Sequence, residues 1–347
     1  MLSQMFTGQG NRRDGGNMNT TDKQQSANDE ILHRNTEKLR SEFGSVICDA
    51  LDDPEVIEIM VNPDGRIWVD RLSRGMSNTK KKISHDRLVA ALGTIAAMLR
   101  TEINKYSPIL EGELPLDGSR IEGIICPVTK AAVLVIRKHS SAVFPMERYV
   151  AENRINVDSW SYLKGGLIDR KNILIAGGTG SGKTTFVNSV LDALSKLCPD
   201  DRVVILEDTV ELQCEMENVL AMRTDQQSGT TMQKLVKTSL RLRPDRIIVG
   251  EVRGGEALDL LKSWNTGHPG GICTIHANSA VSSLARMEQL ISEVSRTPMK
   301  ELIGEAVDVI VFLRRIAKFG PFVTEILEVK GVNEKGAYEH KYIFNAA

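Results

Sequence analysis

Gly177-Gly178-Thr179-Gly180-Ser181-Gly182-Lys183-Thr184 decides the fold. The eight residues match GxxxxGK[ST], and they stand where that pattern has meaning. Before them, Asn172-Ile173-Leu174-Ile175-Ala176 is a short apolar run that reads as a buried strand. After them, Phe186, Val187, Val190, Leu191 and Leu194 recur at helical spacing. Glycines let the backbone curl so that successive N–H groups face one anion, and the helix that starts there adds its positive dipole end. A lysine at position 183 reaches the β- and γ-phosphates of a nucleotide, and the hydroxyl of Thr184 is a ligand for Mg²⁺. The expected cradle is Gly177, Gly178, Thr179, Gly180, Ser181, Gly182, Lys183, Thr184 and Thr185.

Outward from this loop the chain alternates strand and helix. Arg202 to Leu206 and Arg246 to Val249 read as further strands, which implies a parallel sheet covered by helices. Val307 to Leu313, Phe322 to Val329 and Tyr338 to Ile343 read as closing strands, expected to be antiparallel. Toward the amino end, Ile57, Ile59 and Val61 alternate with polar neighbours, Asn62-Pro63-Asp64-Gly65 signals a turn, and Arg66 to Val69 returns as a second strand. Leu88, Leu92, Ile95, Ala96 and Leu99 share one helical face, and Ala132 to Ile136 reads as a buried strand. The fold class expected is α/β: a P-loop NTPase (RecA-like) domain preceded by a smaller α+β domain. Residues 1–30, rich in Gly, Asn, Gln, Ser and Thr, read as a disordered leader. The first domain covers 31–138, a linker 139–165 with a short helix near Met146 to Glu152, and the nucleotide domain 166–347.

The 347 residues carry a formal net charge of -1, and only 5 % are aromatic. Neither a basic nucleic-acid surface nor a base-stacking platform is expected from that balance, so direct sequence-specific nucleic-acid binding is not. Five scattered cysteines without a CxxC pair fit a reducing compartment and no structural zinc. The polar start lacks the apolar core of a secretory signal, and no run approaches the about 20 apolar residues of a membrane span. A cytoplasmic protein, with peripheral membrane contact left open, is the expectation. Lys80-Lys81-Lys82 falls short of a lipid-binding cluster and reads as a solvated loop.

Phosphoryl transfer needs a carboxylate to position water or metal, and positive charge to offset the migrating phosphoryl group. Two carboxylate clusters follow strands: Glu207-Asp208-Thr209-Val210-Glu211, and Glu251 after Ile247-Ile248-Val249-Gly250. Ligands of open α/β sheets gather at the carboxyl ends of the strands, so both clusters are placed to face the phosphates. His268 and His276 lack a third metal ligand at sensible spacing. His276 reads either as a packed loop histidine or as a hydrogen-bonding partner of the γ-phosphate.

Four blocks stand in order: the glycine loop, Glu207 to Glu211, Arg243 to Arg253, and Gly267 to Asn278. Together they resemble the Walker A, Asp box, Walker B and His box of the secretion ATPase superfamily, over about residues 45–330. Leu114-Pro115-Leu116-Asp117-Gly118-Ser119-Arg120, Ile136-Arg137-Lys138 and Gly250-Glu251-Val252-Arg253-Gly254-Gly255-Glu256-Ala257 look like its type IV secretion and conjugal-transfer branch (TrbB-type). The resemblance implies an Mg-dependent ATPase that forms a hexameric ring, closes its two domains on ATP, and drives secretion, conjugative DNA transfer or pilus assembly. It implies inner-membrane apparatus proteins as partners, and a place on the cytoplasmic face of that membrane. A type II secretion or pilus motor, and a nucleic-acid translocase, stand as alternatives. Arg120 and Arg137 match family arginines that approach the phosphates, and Arg253 is a further candidate. No aspartate closes the Walker B strand, so Glu251 is expected to activate water, with Glu207 as runner-up. Mg²⁺ is expected at Thr184, with Glu207 and Asp208 nearby and Glu211 holding water beyond them.

Overall fold

The computed structural model describes residues 20–71, 74–138, 143–225, 228–316 and 320–346. Two sheets organise it. In the first domain come α1 (Thr20–Phe43), α2 (Ser45–Asp52), β1 (Val56–Val61), β2 (Arg66–Arg71), β3 (Gly75–Lys82), α3 (His85–Met98), β4 (Ile109–Glu113), β5 (Arg120–Ile124) and β6 (Val133–Arg137). The strands form an antiparallel sheet in the order β3-β2-β1-β6-β5-β4. Period-2 alternation decides which residues the helices cover. Ile59, Val61, Ile121, Leu134 and Ile136 are buried together with Leu39 and Phe43 of α1, Ile47 of α2, and Leu88, Leu92 and Ile95 of α3. Arg120 and Arg137 fall on the alternate positions and are left out of this core.

The expected leader is corrected in part. Residues 1–19 lie outside the described residues, but the chain is helical from Thr20. The stretch from Thr20 to Phe43 contains neither glycine nor proline, and Leu39 and Phe43, four residues apart, anchor it. From Glu30 onward most of the helix is exposed, in keeping with its polar composition. Gly44, at φ 75°, ends the helix where a side chain would be strained.

The second domain runs α4 (Met146–Ala151), α5 (Val157–Ile168), β7 (Ile173–Gly177), α6 (Lys183–Leu197), β8 (Val203–Glu207), β9 (Val219–Arg223), α7 (Met232–Ser239), β10 (Arg246–Val249), α8 (Glu256–Asn265), β11 (Ile272–His276), α9 (Ala280–Ser292), α10 (Lys300–Ala306), β12 (Val309–Ile316), β13 (Gly320–Val332) and β14 (Tyr338–Asn345). The sheet order is β14-β13-β12-β7-β11-β10-β8-β9. Where both faces are covered the strands are continuous apolar runs, as in β7 and in β8 up to its terminal Glu207. One face packs under α4, α5 and α6, the other under α7, α8, α9 and α10.

Two expectations change here. The presumed linker 139–165 is largely part of this domain: Met146, Tyr149, Trp160 and Leu163 are buried in the core beside Phe186 and Ile175. Pro145 caps α4 rather than breaking the chain, and Gly165 and Gly166 lie inside α5. β12 is parallel to β7, not antiparallel, because the chain crosses back over the sheet through α9 and α10 before re-entering it. Only β13 and β14 return antiparallel.

Candidate nucleotide site

The parallel register brings the site together. Gly177 ends β7, and its neighbour across the ladder is His276, the last residue of β11. Glu207 ends β8, and Glu251 lies just beyond β10, so all four face the same edge of the sheet. At Gly177 an added Cβ would collide with Ser181 Oγ and the Leu313 carbonyl oxygen. Gly182 adopts φ 90° and opens α6 with no side-chain cap. The N–H groups of the first turn are thereby left to the loop's interior. The Ser181 hydroxyl is buried and has no hydrogen-bond partner among the described residues. A concave loop with uncapped donors and an orphaned hydroxyl fits a bound phosphate.

Lys183 folds into this cradle. Its Nζ donates to the carbonyl oxygens of Gly177 and Gly178, both at 3.1 Å, and lies 3.3 Å from His276 Nδ1. Burial pushes its pKa down to about 8; Glu251 opposes the shift, and Arg137 and Arg253 reinforce it. Burial, together with Lys183, likewise lowers His276 below its ordinary value and keeps it neutral at pH 7. His276 Nε2 is 2.7 Å from Glu251 Oε1. Arg253 closes the chain of charges: its Nε donates to Glu251 Oε2 at 2.7 Å, and its Nη1 stands 3.5 Å from Asp208.

The Glu207 carboxylate is almost fully buried and turns back on its own loop, where Oε1 accepts the N–H groups of Glu211 and Leu212 at 2.9 and 2.8 Å. Burial raises its pKa, and those two N–H groups partly offset the rise. It therefore shapes the loop. The residue that meets Thr184 is Glu211, whose Oε2 accepts the Thr184 hydroxyl at 3.1 Å. Thr184, Glu207 and Asp208 are thus not gathered as a metal set: Glu207 is spent on backbone, and Asp208 faces Arg253 and Thr224. Thr184 remains the hydroxyl suited to Mg²⁺, an ion that keeps much of its water.

The first domain supplies the remaining charges. Arg120 and Arg137 are directly paired across β5 and β6, so their side chains leave the same face of the sheet. Arg120 Nη1 lies 3.1 Å from Glu211 Oε1, and Arg137 acts electrostatically on Lys183 and His276. Like charges placed opposite one another in a sheet repel. An anion between them relieves that repulsion. A second pair, Arg223 with Glu113 at 2.6 Å, also joins the domains.

Lys183, Thr184, Glu251, His276, Arg120 and Arg137 are therefore brought together where the carboxyl edge of the parallel strands meets the first domain. The Glu211 bridge was not foreseen, nor was Asn188, whose Nδ2 donates to the Glu211 carbonyl at 3.2 Å. A signal existed for Asn188: an amide side chain one helical turn after Thr184, on the same helix face.

A strand–glycine loop–helix at the carboxyl edge of a parallel sheet, with an inward lysine and facing arginines, defines a P-loop nucleoside-triphosphate-binding protein. A model of the type II/IV secretion system protein family matches residues 42–341, and the chain belongs to that family. The conjugal transfer protein TrbB of Rhizobium radiobacter is 45 % identical over 294 residues, which is 85 % of this chain and 90 % of its own. The type IV secretion system protein VirB11 of Bartonella quintana is 28 % identical, over 85 % of this chain and 96 % of its own. The ATPase DotB of Legionella pneumophila shares the fold, with a TM-score of 0.59 at 18 % identity over 80 % of this chain and 78 % of that one.

Proposed function

We propose that this chain hydrolyses ATP as the ring-forming motor of a type IV secretion or conjugative-transfer machine. The observation that carries the reading is the P-loop faced, across the cleft between domains, by Arg120 and Arg137. The names of the TrbB and VirB11 relatives support the setting.

The chemistry follows from the residues. Phosphates entering the loop replace the carbonyl oxygens that now hold Lys183 and favour its charged form. The Thr184 hydroxyl would hold Mg²⁺, which when bound would supply further positive charge beside the phosphates. Glu251 orients the attacking water, and this requires its release from Arg253. Arg120 and Arg137 neutralise charge that spreads over the departing phosphoryl group. His276, neutral and within reach of both Lys183 and Glu251, senses whether the γ-phosphate is present. Domain closure on ATP and reopening after release supply the stroke, and six copies in a closed ring suit cyclic symmetry. The ring works at the cytoplasmic face of the inner membrane, against proteins of the transfer apparatus.

The test is the specific ATP hydrolysis rate as a function of protein concentration, with Lys183→Ala as control. A rate that rises with concentration and vanishes in the variant is expected. A concentration-independent rate removes the ring, and activity surviving in Lys183→Ala removes the site.

A further inference from the structure

We infer that Glu211 is a positioning residue that stands in for the phosphates between the two domains and surrenders Arg120 when a nucleotide enters. This rests on the nucleotide-site reading above. Among the described residues the carboxylate makes two contacts, both to groups assigned phosphate or Mg²⁺ duties above. Oε2 accepts the Thr184 hydroxyl at 3.1 Å, and Oε1 pairs with Arg120 Nη1 at 3.1 Å. One anion thus satisfies a P-loop hydroxyl and an arginine of the facing domain at the same time, as a bound phosphate with its metal would.

The loop around Glu211 is built to hold it there. Its N–H donates to the buried Glu207, its carbonyl accepts from Asn188, and the Asn188 side-chain oxygen accepts the Gln213 N–H at 3.0 Å. The backbone is pinned on three sides, while the carboxylate is free to exchange partners. Arg120 stands between cross-strand neighbours of both signs, Arg137 on β6 and Glu113 on β4, and the Glu113 carboxylate is engaged by Arg223. In the absence of nucleotide Glu211 offsets the repulsion between Arg120 and Arg137, and the phosphates must compete with it for Arg120.

Competition has a sign that the alternative role reverses. If Glu211 merely ordered water around Mg²⁺, removing its charge would weaken nucleotide binding. If it competes for Arg120, removing its charge strengthens binding. Calorimetric titration of the full chain with the non-hydrolysable analogue AMP-PNP, in magnesium buffer, separates the two. Glu211→Gln is expected to bind about three- to tenfold tighter, the size of a partly buried ion pair. Glu211→Asp, which keeps the charge but shortens its reach, is expected to shift in the same direction by less. In an Arg120→Ala background the gain is expected to disappear, because no guanidinium is left to contest. A general relief of negative charge near the site would persist there and would overturn the inference, as would unchanged or weaker binding by Glu211→Gln. Failure of the wild type to bind, or equal binding by Lys183→Ala, would instead sink the nucleotide site itself.

Discussion

The parallel sheet carries an ionic cluster at each end, and the two are built differently. At the amino ends of the strands Arg246 is fully buried. Its Nε donates to Asp201 Oδ2 at 2.5 Å, and its Nη2 donates to the Leu167 carbonyl at 2.8 Å. Asp201 takes Arg170 on its other oxygen. The Arg246–Asp201 pair there is enclosed and saturated, with Arg170 and Asp245 at its exposed margin. At the carboxyl ends, Lys183, His276, Glu251, Arg253 and Asp208 form one run of contacts and Glu211 with Arg120 a second beside it, with partners shared and exposure partial. A buried, satisfied ion pair holds its neighbours in register but has no group to spare. A partly open, underfilled cluster can exchange partners with a ligand. The same residue types thus lock one end of the sheet and equip the other.

The largest effect expected is at the open end. Glu251→Gln should lower single-turnover ATP hydrolysis by about 100- to 10,000-fold while leaving AMP-PNP binding in place. A near-normal rate would move water activation to another group and blur the contrast. The closed end is tested by stability. Arg246→Ala leaves Asp201 buried beside only the half-exposed Arg170 and should cost about 3–5 kcal/mol in urea unfolding. Arg170→Ala should cost at most about 1 kcal/mol. Equal losses from the two variants would mean that burial does not set the difference. The last effect is read in pH. With Lys183 held near a pKa of about 8, the free protein carries a neutral lysine above that pH, whereas bound phosphates recharge it. AMP-PNP affinity should therefore be flat below pH 8 and fall by up to about tenfold per unit above it. Proton uptake should appear in calorimetry over the same range. Lys183→Arg should flatten the profile, and a slope that survives in that variant would assign the proton elsewhere.

Most of the open end was legible in the sequence, because it sits at strand ends. Gly177, Glu207, Glu251 and His276 each close or follow an apolar run, and a parallel sheet brings such positions to one edge. Glu211 was named, but its partner was not. It lies on an irregular loop between β8 and β9, and only the backbone bonds to Glu207 and Asn188 aim it at Thr184. Arg120 and Arg137 entered through resemblance, and their juxtaposition follows from a strand register that spacing alone does not reveal. The closed end was unreadable: Arg246 looked like the polar start of a strand, and Asp201 is a loop residue 45 positions earlier in the chain. The misread linker has a simpler cause. Pro145 and the Gly165-Gly166 pair were weighed as chain breakers, while Met146, Tyr149, Trp160 and Leu163 already carried a helical, core-forming pattern.

The Arg223–Glu113 pair ties the two domains together outside the cleft, beside the bridge through Glu211. Linkage between sites is reciprocal in free energy. Whatever nucleotide occupancy does to the distance between the domains, an imposed distance does to nucleotide affinity, by the same factor. A load that pries the first domain away from the P-loop would therefore register as a change in nucleotide affinity, so that the site itself gauges the work being asked of it.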